Sequence, residues 1–184
     1  MCIRDSIDSD KIYASGWSNG CAMAQRLAME SSHIFAAVGC MSFYLLMTPV
    51  NTYSPIPIME VHGFLDQVVL YESSVLSVPT NPESWTDPEA VQTGAIENLY
   101  EWANLNGCTG LTPDYNDQQP LYSIQGFSNC ENNSQVRLMT IFGAQHNPYA
   151  KDYAGEGLGM LLPGTQGLVQ SSYVVWDFLS QFSK

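Results

Sequence analysis

Gly16-Trp17-Ser18-Asn19-Gly20 is the stretch on which the reading of this chain turns. Before it, Lys11-Ile12-Tyr13-Ala14-Ser15 supplies strand-type residues. After it, Cys21-Ala22-Met23-Ala24-Gln25-Arg26-Leu27-Ala28 is built from helix formers. A strand that passes straight into a helix must turn sharply. Glycines two positions either side of Ser18 would let the two elements pack without side-chain clashes. A serine at the centre of such a turn is strained and presented outward, as a nucleophile requires. A purely structural glycine-rich turn could carry the same five residues, so the rest of the chain has to supply a base and an acid.

The 184 residues suit one domain with a substantial core. Charged residues make up 13% and hydrophobic ones 45%, which argues against wholesale disorder. A net charge of −12 with six Lys and Arg argues against nucleic acid and anionic membrane surfaces as partners, and suits a neutral substrate. No apolar run approaches the length of a transmembrane helix. Cys108 and Cys130 lie in a polar Gly/Asn/Pro-rich region, and a bridge closing that loop would contribute about 3 kcal/mol. A disulfide there would imply an exported protein. Cys21, on the helix after the turn, and Cys40, at the end of an apolar strand, read as buried free thiols. No C-x-x-C pair or His/Cys cluster points to a metal, and no cofactor is expected.

Along the chain, Ile34 to Cys40 reads as a buried strand and Met41 to Pro55 as a loop. Ile56 to His62 reads as a second buried strand ending in Gly63-Phe64-Leu65-Asp66. Tyr71 to Pro88 is irregular. Pro88 to Asn106 is helical, with Ala90, Ile96, Leu99, Tyr100 and Ala103 at helical spacing and Asn106-Gly107 as its stop. Leu121 to Gly126 and Gln135 to Phe142 form a strand pair, and Ser172 to Phe182 an amphipathic helix. Strands and helices alternate, which points to an α/β protein with a mostly parallel sheet.

A serine hydroxyl becomes a useful nucleophile when an imidazole takes its proton and a buried carboxylate orients that imidazole. Ser18, Asp66 and His146 each follow a strand directly, in the order Ser, Asp, His. His33 falls at a helix end, and His62 stands too near Asp66 to come from a separate strand, so it orders the strand end. Asp87, Asp114, Asp117 and Asp152 follow no strand so closely. The same constellation serves ester and peptide hydrolysis, and a catalytically silent binding domain can retain its outline.

Four blocks in one order carry a family resemblance: Ile7 to Tyr13, Gly16 to Gly20, His62 to Val69, and Trp102 to Cys108. The chain resembles the polyhydroxybutyrate depolymerase and feruloyl esterase group of α/β-hydrolases. The resemblance implies Ser18 as nucleophile, Asp66 as acid, His146 as base, and a Cys108–Cys130 bridge. It also implies secretion, or export to the periplasm, and neutral ester substrates, often polymeric or attached to plant polysaccharide. The Asn19 amide would be one oxyanion donor, and Trp17 and Tyr149 would touch substrate, with Phe43, Tyr44 and Trp85 as further aromatic candidates. In that fold several strands precede the nucleophile. Residues 7–184 therefore read as the C-terminal part of the domain, without its N-terminal strands or second oxyanion donor and with a long free sheet edge, so that the chain as given is expected to be a weak or inactive enzyme. Met1-Cys2-Ile3-Arg4-Asp5-Ser6 reads as translated adapter sequence. The family usually has glycines before the histidine and Thr-Trp-Pro after it. Here Ala144-Gln145 precede and Asn147-Pro148-Tyr149 follow, and Cys21 replaces a common glycine.

Overall fold

The computed structural model describes residues 7–45, 50–72, 94–150 and 169–184. Residues 1–6, Trp85, Asp87, Asp152, most of the irregular Tyr71–Pro88 stretch and residues 88–93 of the expected Pro88–Asn106 helix lie outside them. In chain order the elements are β1 (Tyr13–Ala14), α1 (Asn19–Ser31), β2 (Ala37–Met41), β3 (Ile58–Gly63) and α2 (Ala95–Leu105). They continue with β4 (Tyr115–Gln118), β5 (Tyr122–Phe127), β6 (Val136–Ile141) and α3 (Ser171–Leu179). They make an α/β fold around one mixed sheet in the order β1-β2-β3-β6-β5-β4. The first four strands run parallel, while β5 and β4 extend the sheet as an antiparallel meander.

Strands β2, β3 and β6 are buried on both faces because helices cover both, and most of their residues are apolar. Val38, Cys40, Ile58 and Leu138 face a layer made by Ala24, Ala28 and Met29 of α1 with Leu99 and Trp102 of α2. Ala37, Met59, Val61, Met139 and Ile141 face Val175, Phe178 and Leu179 of α3. The two helices of the first layer are tied by polar groups as well. Trp102 Nε1–H donates to Gln25 Oε1 at 2.7 Å, and Gln25 Nε2–H donates to the Phe43 carbonyl at 2.8 Å. The inner face of α2 is Ala95, Asn98, Leu99, Trp102 and Ala103. The expected Tyr100 is 41% exposed and meets the core only at its margin, its ring edge-on to that of Phe127 at 5.5 Å.

Three further expectations change. Cys21 and Cys40 are bonded to each other, not free: α1 lies over β2 and brings their Cα atoms to 4.9 Å. Cys108, by contrast, is bonded to Cys130, the pairing that the resemblance implies. The strand before the glycine turn is two residues long, not five. Pairing with the β2 segment nevertheless runs from the Ala36 amide on the Ile12 carbonyl at 2.7 Å to the Met41 amide on the Gly16 carbonyl at 2.9 Å, the Ser18 amide on the Met41 carbonyl at 2.8 Å and the isolated Trp17–Met41 bridge, and among the described residues this segment is an edge of the sheet. The meander strand β4 was not expected, because Tyr115-Asn116-Asp117-Gln118 is polar and mostly exposed and has no apolar alternation to announce it.

Candidate active site

The turn that holds Ser18 begins in the sheet. Ser18 N–H donates to the Met41 carbonyl at 2.8 Å, and its own carbonyl accepts from the Cys21 and Ala22 amides at 2.8 and 3.2 Å, starting α1. Between these anchors Ser18 adopts φ 54°, ψ −124°, a conformation that costs a non-glycine residue about 1–3 kcal/mol. The flanking glycines are not equivalent. A Cβ on Gly16 would stand 2.3 Å from the Gly20 carbonyl carbon and oxygen, whereas one on Gly20 would meet nothing within 4 Å. Only the first is required by space. Asn19, as the first residue of α1, has an amide with no carbonyl one turn back to bond.

Asp66 and His146 come from two loops packed together at the same end of the sheet. Phe64 N–H donates to the Ile141 carbonyl at 3.0 Å and Leu65 N–H to the Ala144 carbonyl at 2.9 Å. Gly63 permits this approach, since a Cβ there would lie 2.5 Å from the Ala144 oxygen. Asp66 Oδ1 accepts from the Val68 and Val69 amides at 2.9 and 2.8 Å. Its Oδ2 accepts from His146 Nδ1–H at 2.8 Å, and His146 Nε2 stands 2.9 Å from Ser18 Oγ. The carboxylate fixes the tautomer: with the proton on Nδ1, Nε2 is free to accept the serine proton. Asp66 is 4% and His146 3% exposed. Three side chains separated widely in the sequence thus form one hydrogen-bonded line, able to raise the nucleophilicity of a hydroxyl.

The aromatic candidates divide. Trp17 lies against His146, ring centroids 5.4 Å apart, with its indole N–H buried and unpartnered. Tyr149 does not line the site. It is fully buried, its hydroxyl accepts from Gly63 N–H at 2.7 Å and bonds Ser42, and it pins the end of β3. Burial raises its hydroxyl pKa far above the ordinary value. Its backbone is held in that place at φ 52°, with its amide donating to Asn147 Oδ1 at 2.7 Å and its carbonyl accepting from Ser171 N–H at 3.0 Å. Tyr44 is also fully buried and stacks on His62, ring centroids 5.5 Å apart. Phe43 packs against the core. His33 is exposed after α1.

Behind the line lies a second buried polar group that sequence reading missed. Glu60 Oε1 stands 2.6 Å from His62 Nδ1, Glu60 Oε2 accepts from Asn98 Nδ2 at 2.5 Å, and Asn98 Oδ1 accepts from Leu45 N–H at 2.9 Å. His62 Nε2–H donates to the Val69 carbonyl at 2.8 Å. Burial pushes the Glu60 carboxyl up, against the lowering effect of His62. For His62, burial works downward but is outweighed by the Glu60 hydrogen bond and charge, the Asp66 charge and the Val69 carbonyl, and the net shift is upward. Both directions mean that a proton is retained between the pair. The available clue was Glu60 itself, a charged residue inside an otherwise apolar strand, two positions from His62 and so on the same face.

No family model matches the chain. Two curated proteins do. Feruloyl esterase B of Piromyces equi is 29% identical over 182 residues, covering 96% of this chain and 28% of that protein. NocK of Nocardia uniformis subsp. tsuyamanensis, whose name proposes an esterase, is 27% identical over 103 residues, 55% of this chain and 30% of that protein. The similarity is to esterases. The chain spans less than a third of the length of either relative, and neither name mentions polyhydroxybutyrate.

Proposed function

We propose that this chain carries the acyl-transfer centre of an exported serine carboxylic ester hydrolase with the α/β-hydrolase fold. The observation that carries the reading is the line from Ser18 Oγ through His146 to Asp66, at 2.9 and 2.8 Å, built on a strained strand-to-helix turn. The esterase names of the two similar proteins support the reaction class, and the two disulfides are consistent with an oxidising compartment. Among the described residues no helix is long and apolar enough to cross a membrane.

In this mechanism Ser18 Oγ attacks the ester carbonyl as His146 Nε2 takes its proton, and Asp66 stabilises the imidazolium through Nδ1–H. The Asn19 amide donates to the tetrahedral oxyanion; one such donor contributes about 3–4 kcal/mol to the transition state. His146 returns the proton to the leaving alcohol, then activates water to release the acid from Ser18. Trp17 beside His146 offers an aromatic wall to the acyl group, which suits feruloyl esters. Acetyl esters of plant polysaccharide and polyhydroxyalkanoates are the other candidates.

A fluorophosphonate probe tests the centre. It is expected to label the parent protein at Ser18, and Ser18→Ala should remove the label and lower hydrolysis of p-nitrophenyl esters by about 10⁶. Equal labelling of both proteins would refute the nucleophile assignment. Peptide cleavage without ester cleavage would make the centre a peptidase.

A further inference from the structure

The Glu60–His62 pair is placed to act on the acid of the proposed line without touching substrate. His62 sits in β3, which ends immediately before the turn carrying Asp66. Its Nε2–H reaches across that turn to the Val69 carbonyl. The peptide it holds belongs to the residue whose own amide, with that of Val68, clasps Asp66 Oδ1. Asp66 Oδ2 then points at His146. A contact at Val69 therefore governs the aim of a carboxylate that sits at the end of the same turn.

We propose that Glu60 and His62 form a positioning unit for Asp66: His62 Nε2–H fixes the acid turn, and Glu60 keeps His62 in that donor form. This rests on the reading of Ser18, His146 and Asp66 as the reactive centre. The requirement on His62 follows from its partners. Nε2 faces a carbonyl oxygen, which only accepts, so Nε2 must carry a proton. With Glu60 Oε1 at Nδ1, the shared proton lies on one of those two atoms, and Nε2–H is preserved wherever it lies. Loss of that proton would set a carboxylate lone pair against an imidazole lone pair in a site closed to water.

Among the described residues the Val69 carbonyl, at 2.8 Å, is the nearest acceptor to His62 Nε2. Tyr44 stacks on the ring from one side and Tyr71 meets it edge-on at 5.8 Å, with the Tyr71 hydroxyl engaged by Thr140 Oγ1 at 2.8 Å. Thr140 is the neighbour of His62 across to β6. From α2, Asn98 holds the far oxygen of Glu60. Asp66 Oδ2 is 3.6 Å from His62 Nε2, and the Glu97 charge reaches Tyr44 and Tyr71 but stands on the exposed side of α2. Glu72 lies at the end of the same turn. The groups that face the pair are thus acceptors, aromatic faces and the two hydroxyls of Tyr71 and Thr140, which bond each other, together with Asn98, which is spent on Glu60.

Two polar substitutions separate positioning from packing. In His62→Gln the amide nitrogen can occupy the place of Nε2 and still donate to Val69. In His62→Asn it reaches only the place of Nδ1, next to Glu60. His62→Asn is expected to lower kcat for p-nitrophenyl acetate by about 100-fold with KM within about twofold, as for a displacement near 1 Å at a reacting group, and His62→Gln to recover at least about tenfold of that loss. Hydrogen exchange at the Val68 and Val69 amides should quicken in the Asn variant and not in the Gln variant. Equal losses of kcat in the two folded variants, or unchanged exchange in the Asn variant, would overturn the proposal. If His62→Asn does not fold, the parent decides: a through-hydrogen-bond NMR coupling from His62 Nε2 to the Val69 carbonyl carbon is expected, and its absence overturns the proposal. Failure of the centre itself would appear separately, as turnover unaffected by Ser18→Ala, and the exchange result would still stand.

Discussion

Alanine at Gly16 and, separately, at Gly20 distinguishes two positions that the G-x-S-x-G pattern treats alike. A Cβ on Gly16 would lie 2.3 Å from the carbonyl carbon and oxygen of Gly20 and 2.9 Å from its Cα. To bring the closest approach from 2.3 Å up to 3.0 Å, the strand and helix must part by roughly 0.7 Å at the turn. All three atoms are backbone, so no rotamer change relieves the overlap. The cost is expected to be at least about 1–3 kcal/mol, the range for forced overpacking. Ser18 sits midway along the distorted segment, and a displacement near 1 Å at a reacting group lowers rates by about 100-fold. At Gly20 the added methyl meets nothing within 4 Å and the residue lies in the first turn of α1. Alanine there should raise stability by about 0.5–1 kcal/mol. Urea unfolding reports the stabilities, and the second-order rate of fluorophosphonate labelling reports the serine. A Gly16→Ala protein with the parental midpoint and labelling rate would refute the geometry of the turn, as would a Gly20→Ala protein weakened by more than about 1 kcal/mol.

The two disulfides should respond differently to reductant. Cys21 is fully buried whereas Cys108 and Cys130 are half-buried, so thiol alkylation under native conditions should capture Cys108 and Cys130 first; simultaneous release of all four would contradict the burial. Replacing Cys21 and Cys40 together by alanine opens a 19-residue loop and should cost about 3 kcal/mol in urea unfolding. Stability should also fall as pH rises above the ordinary histidine value of 6.5. Glu60 and His62 are both raised in the folded protein, so the stability they add is complete below their unfolded values and is lost as pH climbs through the folded ones. The slope should reach at most about 1.4 kcal/mol per pH unit for one retained proton, and a urea midpoint that climbs from pH 6.5 to 9 would contradict it.

Much of the parallel core could be read from the chain because its strands announce themselves by composition. Ala37-Val38-Gly39-Cys40 and Ile58-Met59 have no polar face, and a run buried on both sides needs helices on both. The order of Ser18, Asp66 and His146, each just beyond a strand, likewise suggested which side chains parallel topology could bring to one edge. What could not be read was set by contacts between distant segments. The Cys21–Cys40 pairing depends on α1 lying over β2, and nothing in a 19-residue spacing distinguishes bonded from free thiols. Tyr149 was expected to touch substrate because it follows the histidine closely, yet with φ 52° it lies buried and bonds Gly63 and Ser42. The inner face of α2 includes Asn98, which a search for apolar periodicity discards, although its partners Glu60 and Leu45 make it as buried as Leu99.

That buried polar set also bears on why the residues are there at all. Exchanging a buried ion pair for well-packed apolar side chains is often neutral or stabilising by about 1–4 kcal/mol, whereas removing one partner costs about 3–5 kcal/mol because the other charge is left alone. Stability therefore gives no reason for Glu60 and His62 to stand inside β3, where Ile58 and Val61 show that apolar residues fit the sheet. His62→Leu alone strands the Glu60 carboxyl, and should lower the urea midpoint more than Glu60→Met combined with His62→Leu does. The double variant should regain stability but not turnover, since neither replacement can hold the Val69 carbonyl. A double variant as unstable as the single one would show that the uncompensated Glu60 charge was not the source of the loss. One that regained both stability and turnover would show that the acid turn holds itself.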